Sequence, residues 1–163
     1  MTTGNRWLRD GVIVGLIAYA AVALFYAAFD VLATRGTLFT VNVLGQAAFR
    51  GLRDPSVLQF PMTVDMTSVF WYNGVHLALS LAIGLFVVFL VERAERDART
   101  AGLMAGVIAT GFAVTVAVVG RLTEPMRAVL PWWSIVVANA AATVCAAAYL
   151  LQRRPGLLKR MFG

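Results

Sequence analysis

Four stretches of the chain, about 11–33, 67–91, 101–120 and 132–151, are almost wholly apolar, and Asp30 is the one formal charge inside them. Each matches the ~20 residues that an α-helix needs to cross the ~30 Å hydrocarbon layer of a bilayer. Their few polar residues recur at helical rather than alternating spacing. Tyr19, Tyr26 and Asp30 fall on one stripe of the first stretch, and Asn73, His76 and Ser80 fall on one stripe of the second. The pattern predicts an all-α integral membrane protein, a four-transmembrane-helix bundle that forms a single membrane domain over 1–163.

Two of the connections are short, and the one over 34–66 is not. Loops beyond ~12 to 15 residues usually carry structure or function of their own. In this one Val41, Leu44, Ala48 and Leu52 recur at helical spacing, with Asn42, Gln46 and Arg50 between them. Thr40 is placed to cap the start and Asp54-Pro55 to stop it, so the spacing predicts a short amphipathic helix along the outer interface. An extended return through Phe60-Pro61 then leads to a second helix start at Asp65 to Ser68. The loop reads either as a plug that seals the bundle or as a lid over a cavity.

Composition agrees with the pattern. At 60% hydrophobic and 13% charged, the chain is far more apolar than an ordinary soluble domain. The formal charge of +6 does not point to nucleic acid, because the basic residues cluster between the apolar stretches, where they act as topological signals. Nine of them, including Arg6, Arg9, Arg93, Arg96, Arg153 and Arg154, fall on the side of both termini, and Arg35, Arg50, Arg53, Arg121 and Arg127 fall on the other. That bias predicts both termini in the cytoplasm. Trp71, Tyr72, Trp132 and Trp133 make an outer aromatic belt, with Trp7 at the inner face. The basic tail over 153–163 suits the anionic inner leaflet. Arg6 and Arg9 ahead of an apolar run imitate a secretory signal, but the run is too long for one, so a retained anchor is expected.

Small residues four apart, Gly11 and Gly15, Gly102 and Gly106, and Ala138, Ala142 and Ala146, predict close helix seams. The candidate site is the polar set Tyr26, Asp30, Asn73, His76, Arg121 and Asn139. At ~1.5 Å rise per residue, Tyr26, His76 and Asn139 share a depth of roughly 10 to 14 Å below the outer boundary. One reading is a hydrogen-bonded network that fixes helix register, with His76 held by Tyr26 or Asn139 and Asp30 paired to Arg121. The other is an outward-facing cavity for a polar headgroup, a quinone, an ion or a proton. A metal could use only His76 with too few partners, and a single histidine cannot supply both axial ligands of a bis-histidine haem. Cys145 is the sole cysteine, and no nucleophilic triad or phosphate loop is present, so an enzyme is not expected.

Phe29-Asp30, Leu38-Phe39-Thr40, Leu44-Gly45, Asn73-Gly74-Val75-His76 and Pro131-Trp132-Trp133-Ser134 together resemble an uncharacterised group of small four-span bacterial inner-membrane proteins. The resemblance implies the fold and no activity. Thirteen arginines against one lysine fit a GC-rich bacterial source. The leading expectation is a non-enzymatic subunit of an inner-membrane complex or a self-associating bundle, with lipid and a homo-oligomer or membrane-protein partner as its contacts. Small-molecule, ion or proton handling around His76 is the second expectation, and a haem- or quinone-binding redox protein the third.

Overall fold

The computed structural model describes residues 3–58 and 62–156. Among the described residues five α-helices follow one another: α1 (Thr3–Leu32), α2 (Phe39–Phe49), α3 (Met66–Arg96), α4 (Ala98–Leu122) and α5 (Trp132–Arg153). Of these, α1, α3, α4 and α5 are long and apolar enough to cross a membrane, and α2 is a shorter apolar helix between the first two. The helices outrun the apolar stretches that announce them. At ~1.5 Å per residue α3 is roughly 45 Å long, so its last turns stand clear of a ~30 Å hydrocarbon core. Arg93 and Arg96 in its final turn complement the negative end of the helix dipole. The charged segment expected to be a loop is therefore mostly helix, interrupted only at Asp97, whose extended backbone turns the chain into α4.

The close crossing of α1 with α3 is built on glycine. A Cβ at Gly15 would lie 2.7 Å from the Leu81 Cα, and one at Gly84 would run into the backbone of Gly11 and Gly15. The backbones meet there with no side chain between them, the contact that small residues allow in lipid. On α5 the expected alanine seam is also inward, with Ala138 and Ala142 buried. The third expected seam is not packed within the chain: a Cβ at Gly102 or Gly106 meets nothing within 4 Å. On α4, no residue from Gly102 to Leu122 is buried.

Two apolar cores sit at opposite ends. Val14, Val88, Val91 and Leu150 form one, near both chain ends, with Trp7 and Tyr149 against it. Phe39, Val43, Met126 and Leu130 form the other, where α2 packs on the connection between α4 and α5. The first is called the termini end below and the second the loop end.

At the loop end α1 finishes with Thr34 in the left-handed conformation, φ 57°. The Arg35 amide then donates to the Asp30 carbonyl at 2.9 Å, a helix-ending arrangement that swings Arg35 back over the last turn. Two sequence expectations are corrected here. Thr40 does not cap α2 with its own side chain, since the cap position is Leu38 and carries no side-chain bond. The helix also stops before Asp54-Pro55, because Gly51 takes φ 73° just after Arg50. Asp54 instead holds the Ser56 amide at 2.8 Å in a short 3-10 turn. The expected start of α3 is present: the Asp65 carboxylate accepts from the Thr67 and Ser68 amides, each at 3.1 Å. Phe60-Pro61 and the basic tail from 157 onward lie outside the described residues.

Candidate functional site

Asp30 is almost fully buried, at 1% exposure, and its bonding accounts for the shape of the loop end. Its carboxylate accepts from the Thr40 amide and from the Thr40 hydroxyl, both at 2.6 Å. Thr40 is the second residue of α2, whose first-turn amides lack partners inside their own helix. Asp30 therefore caps α2 from a different helix, and its negative charge meets the positive end of the α2 dipole. Arg35 approaches the same carboxylate at 3.5 Å, donates to the Val129 carbonyl at 2.7 Å, and stacks on the rings of Phe29 and Phe39. One arginine thus ties α1, α2 and the α4–α5 connection together. Its Nε is buried without a hydrogen-bond partner among the described residues. The expected Asp30–Arg121 pair does not form. Arg121 is 81% exposed and bonds to Glu124 at 3.2 Å, one turn further along its own strand of chain.

Asn42 shows how the sequence pattern can mislead about the inward face. Read as a solvent-facing position of α2, it is 1% exposed. Its side-chain amide donates to the Thr63 carbonyl at 3.1 Å, and its oxygen accepts from the Asp65 amide at 2.9 Å and from Gln46 at 3.1 Å. The segment from Thr63 to Asp65 thereby gains polar partners for its backbone. Gly45 lets α2 lie against the backbone of Ser68, to which an added Cβ would come within 2.6 Å. Asp65 bridges Arg50 at 2.9 Å, and that bond, with those from Ser68, holds the carboxyl down to about 2.

The remaining predicted residues do not converge. Tyr26 shares a 3.3 Å bond with Ser134, and since the Ser134 hydroxyl donates to the Pro131 carbonyl at 2.7 Å, Tyr26 is the donor. Tyr19 donates to the Asn73 side-chain oxygen at 2.9 Å, and the Asn73 amide returns to the Val69 carbonyl. His76 is not held by Tyr26 or Asn139. Its ring lies 5.2 Å from that of Tyr19 and 6.2 Å from that of Tyr72, with no hydrogen-bond partner among the described residues. Asn139 donates to the Ile135 carbonyl of its own helix at 2.8 Å. The shared depth expected of Tyr26 and His76 is not seen: Tyr26 packs against the loop-end core, whereas His76 lies beside Tyr19, about two turns away along α1. Tyr26 ties α1 to α5 and Asn73 ties α3 to α1, while Asn139 bonds within its own helix.

The termini end holds a charged cluster that the sequence reading passed over. Asp10, 6% exposed, accepts from Tyr149 at 3.3 Å and from Arg154 at 3.4 Å, with Arg9 at 3.5 Å. Arg154 also bonds to Glu95, and to Glu92 at 3.4 Å. Burial lowers the Arg154 pKa, but Glu95 and then Glu92 outweigh it, so the guanidinium ends up above its ordinary value. A cavity of about 900 Å³ opens beside this cluster, among α1, α3 and the end of α5. The available signal was Glu92 and Glu95 three residues apart, facing the one acidic residue of the first turns of α1. The topology argument uses only the arginines beside them and leaves these acidic residues without a role.

Among the described residues no group of three or more His, Cys, Asp or Glu is placed to hold a metal ion. The chain matches no protein-family model, no curated protein and no solved structure.

Proposed function

We propose that the chain is a non-enzymatic, multi-pass protein of a bacterial inner membrane, with both termini cytoplasmic, that works by associating with other membrane helices. The observation that supports it best is α4. Its most apolar eighteen-residue stretch has no buried residue, whereas the corresponding stretches of α3 and α5 are 28% buried. Its open side carries Gly102, Gly106 and Gly111 beside a shallow groove completed by Phe86 of α3. The same glycine spacing is what α1 uses to meet α3 inside the chain, so the molecule contains one mated and one unmated copy of a helix-pairing surface. A second copy of the chain, pairing α4 with α4 about a two-fold axis, is the partner this surface suits. The polar groups favour the same class of function, because Tyr26, Asp30 and Asn73 are all engaged within the bundle.

The test is the molecular mass of the full chain in lipid nanodiscs, wild type against Gly102→Leu/Gly106→Leu. The wild type is expected as a dimer and the variant as a monomer with unchanged helicity, since nothing within 4 Å of either glycine obstructs a side chain. A wild-type monomer, or a dimer that survives both substitutions, overturns self-association through α4.

A further inference from the structure

The termini-end cavity has a charge imbalance. Among the described residues six arginines line it, Arg6 and Arg9 from α1, Arg93 and Arg96 from α3, and Arg153 and Arg154 at the end of α5, against Asp10, Glu92 and Glu95. The lining is therefore three positive charges in excess. Not all six are equal. Arg154 is committed to the three carboxylates, Arg9 lies 3.5 Å from Asp10, and Arg96 lies 3.7 Å from Glu92. Arg6, Arg93 and Arg153 have no ion pair among the described residues. Arg93 rests on the Phe89 ring at 5.3 Å and Arg153 on the Tyr149 ring at 5.8 Å, which positions both guanidiniums without neutralising them. Three different helices thus bring one uncompensated guanidinium each to the same opening.

The position of the cavity narrows the class of anion. The membrane-crossing segments begin at Arg6 and end at Arg96 and Arg153, so the opening lies at the level of lipid headgroups. Its wall continues towards the hydrocarbon through Trp7 and Phe89, the latter 42% exposed. The Trp7 indole N–H is buried there without a hydrogen-bond partner among the described residues, a donor with nothing to donate to. An anion with a phosphate at the mouth and an apolar body along Phe89 satisfies all of these features. Guanidinium is the side chain best matched to phosphate, because its planar fork forms paired, charge-assisted hydrogen bonds.

We propose that this cavity is a binding site for the phosphate group of an anionic membrane lipid, held by Arg6, Arg93 and Arg153 above the fixed Arg154–carboxylate base. It is independent of the α4 reading, because none of these residues lies on α4.

The experiment is native mass spectrometry of the full chain released from vesicles of phosphatidylglycerol and phosphatidylcholine in equal amounts, comparing wild type with Arg6→Gln/Arg93→Gln/Arg153→Gln. The wild type is expected to retain phosphatidylglycerol in preference to phosphatidylcholine. A basic residue near an anionic surface contributes roughly fivefold in affinity, so the triple variant is expected to lose on the order of a hundredfold for phosphatidylglycerol. Binding of phosphatidylcholine should not change. Retained helicity and an unchanged melting temperature confirm that the variant is folded, as expected for residues outside the ion-pair network. Equal retention of the two lipids by the wild type, or an unchanged preference in the folded variant, overturns the proposal. A separate arm adds inorganic phosphate at millimolar concentration. Failure to displace phosphatidylglycerol assigns the site to lipid, whereas full displacement assigns it to free phosphate and overturns the lipid source.

Discussion

Asp30 and Asp10 are both buried carboxylates on α1, one near each end, and each meets an arginine from outside its helix. Their surroundings differ. Asp30 has two 2.6 Å bonds from Thr40 and lies under α2 and the α4–α5 connection, where Phe39, Val43, Met126 and Leu130 close the space. Among the described residues Asp10 has contacts of 3.3 Å to 3.5 Å, and the cluster it belongs to borders a cavity of about 900 Å³. Short bonds in a closed setting make the first charge part of the fold. At the second end the Arg154 cluster is fixed as well, but positive charge is left over on Arg6, Arg93 and Arg153 beside an opening, and that surplus is what a partner from outside can meet. The same pairing of residue types therefore serves cohesion at one end and leaves binding capacity at the other.

The sharpest way to break this comparison is to remove one member from each end. Asp30→Ala leaves the largely enclosed Arg35 without a carboxylate and strips the cap from α2, and removal of one partner of a buried pair costs about 3–5 kcal/mol. Arg154→Ala leaves Asp10, Glu92 and Glu95 beside an open cavity that water can enter, so its cost is expected between that of exposed and buried pairs, roughly 1–2 kcal/mol. Denaturant unfolding followed by circular dichroism measures both. Trypsin provides a local check, because loss of the α2 anchor should expose Arg50 and Arg53 to cleavage in Asp30→Ala and not in Arg154→Ala. Equal costs at the two ends would remove the distinction between them.

The loop end should also show a specific pH dependence. Asp65 has its carboxyl lowered to about 2 by the Arg50 and Ser68 bonds, and burial does little to oppose them. An ordinary unfolded aspartate titrates near ~3.9. A depressed carboxylate contributes stability that is fully present above the unfolded value and is lost as pH falls through the folded one. The melting temperature of the wild type should therefore drop between about pH 4 and about pH 2. Asp65→Asn, which cannot titrate, should show a weaker drop over the same window. Parallel curves for the two proteins would mean that the bridge to Arg50 does not tie α2 to α3.

The contrast also explains which features could be read from the chain. Span number and the presence of α2 follow from long apolar runs and helical spacing, both local properties of the sequence. The Asp65 start signal is local as well, since a carboxylate followed by Thr67 and Ser68 caps whatever helix it precedes. Asp30 could be recognised as costly in hydrocarbon, but its partner depends on Thr34 turning the chain back, and a left-handed threonine has no sequence signature. Depth alone points from Asp30 to Arg121, whereas Arg35 is the partner. Asn42 failed for a related reason. Its polarity suggests an outward face, whereas its role is to supply hydrogen bonds to the irregular segment that leads into α3. The glycines divide in the same manner, because identical spacing yields a packed crossing on α1 and an open face on α4. Spacing specifies a capacity to pack, and the rest of the chain decides what fills it.

The smallest expected effect lies midway between the two ends, at Tyr19, Asn73 and His76. Tyr19 donates to Asn73 across the α1–α3 seam at 2.9 Å, while Asn73 already has a second bond to its own helix. Removing the phenol hydroxyl in Tyr19→Phe deletes one interhelical hydrogen bond, and such bonds in a membrane protein average about 0.6 kcal/mol because the unfolded helices find other partners. The ring, and with it the contact to His76, is retained. His76→Phe should cost no more, since the ring contacts persist and the imidazole has no hydrogen bond to lose among the described residues. A double variant of the two tests whether the group behaves as a unit. Additive losses within ~0.5 kcal/mol mean that the hydroxyl and the imidazole act separately. A cost of ~2 kcal/mol or more for His76→Phe alone would exceed that of an ordinary aromatic pair and would require a polar partner for the imidazole, restoring a site at the middle of the bundle.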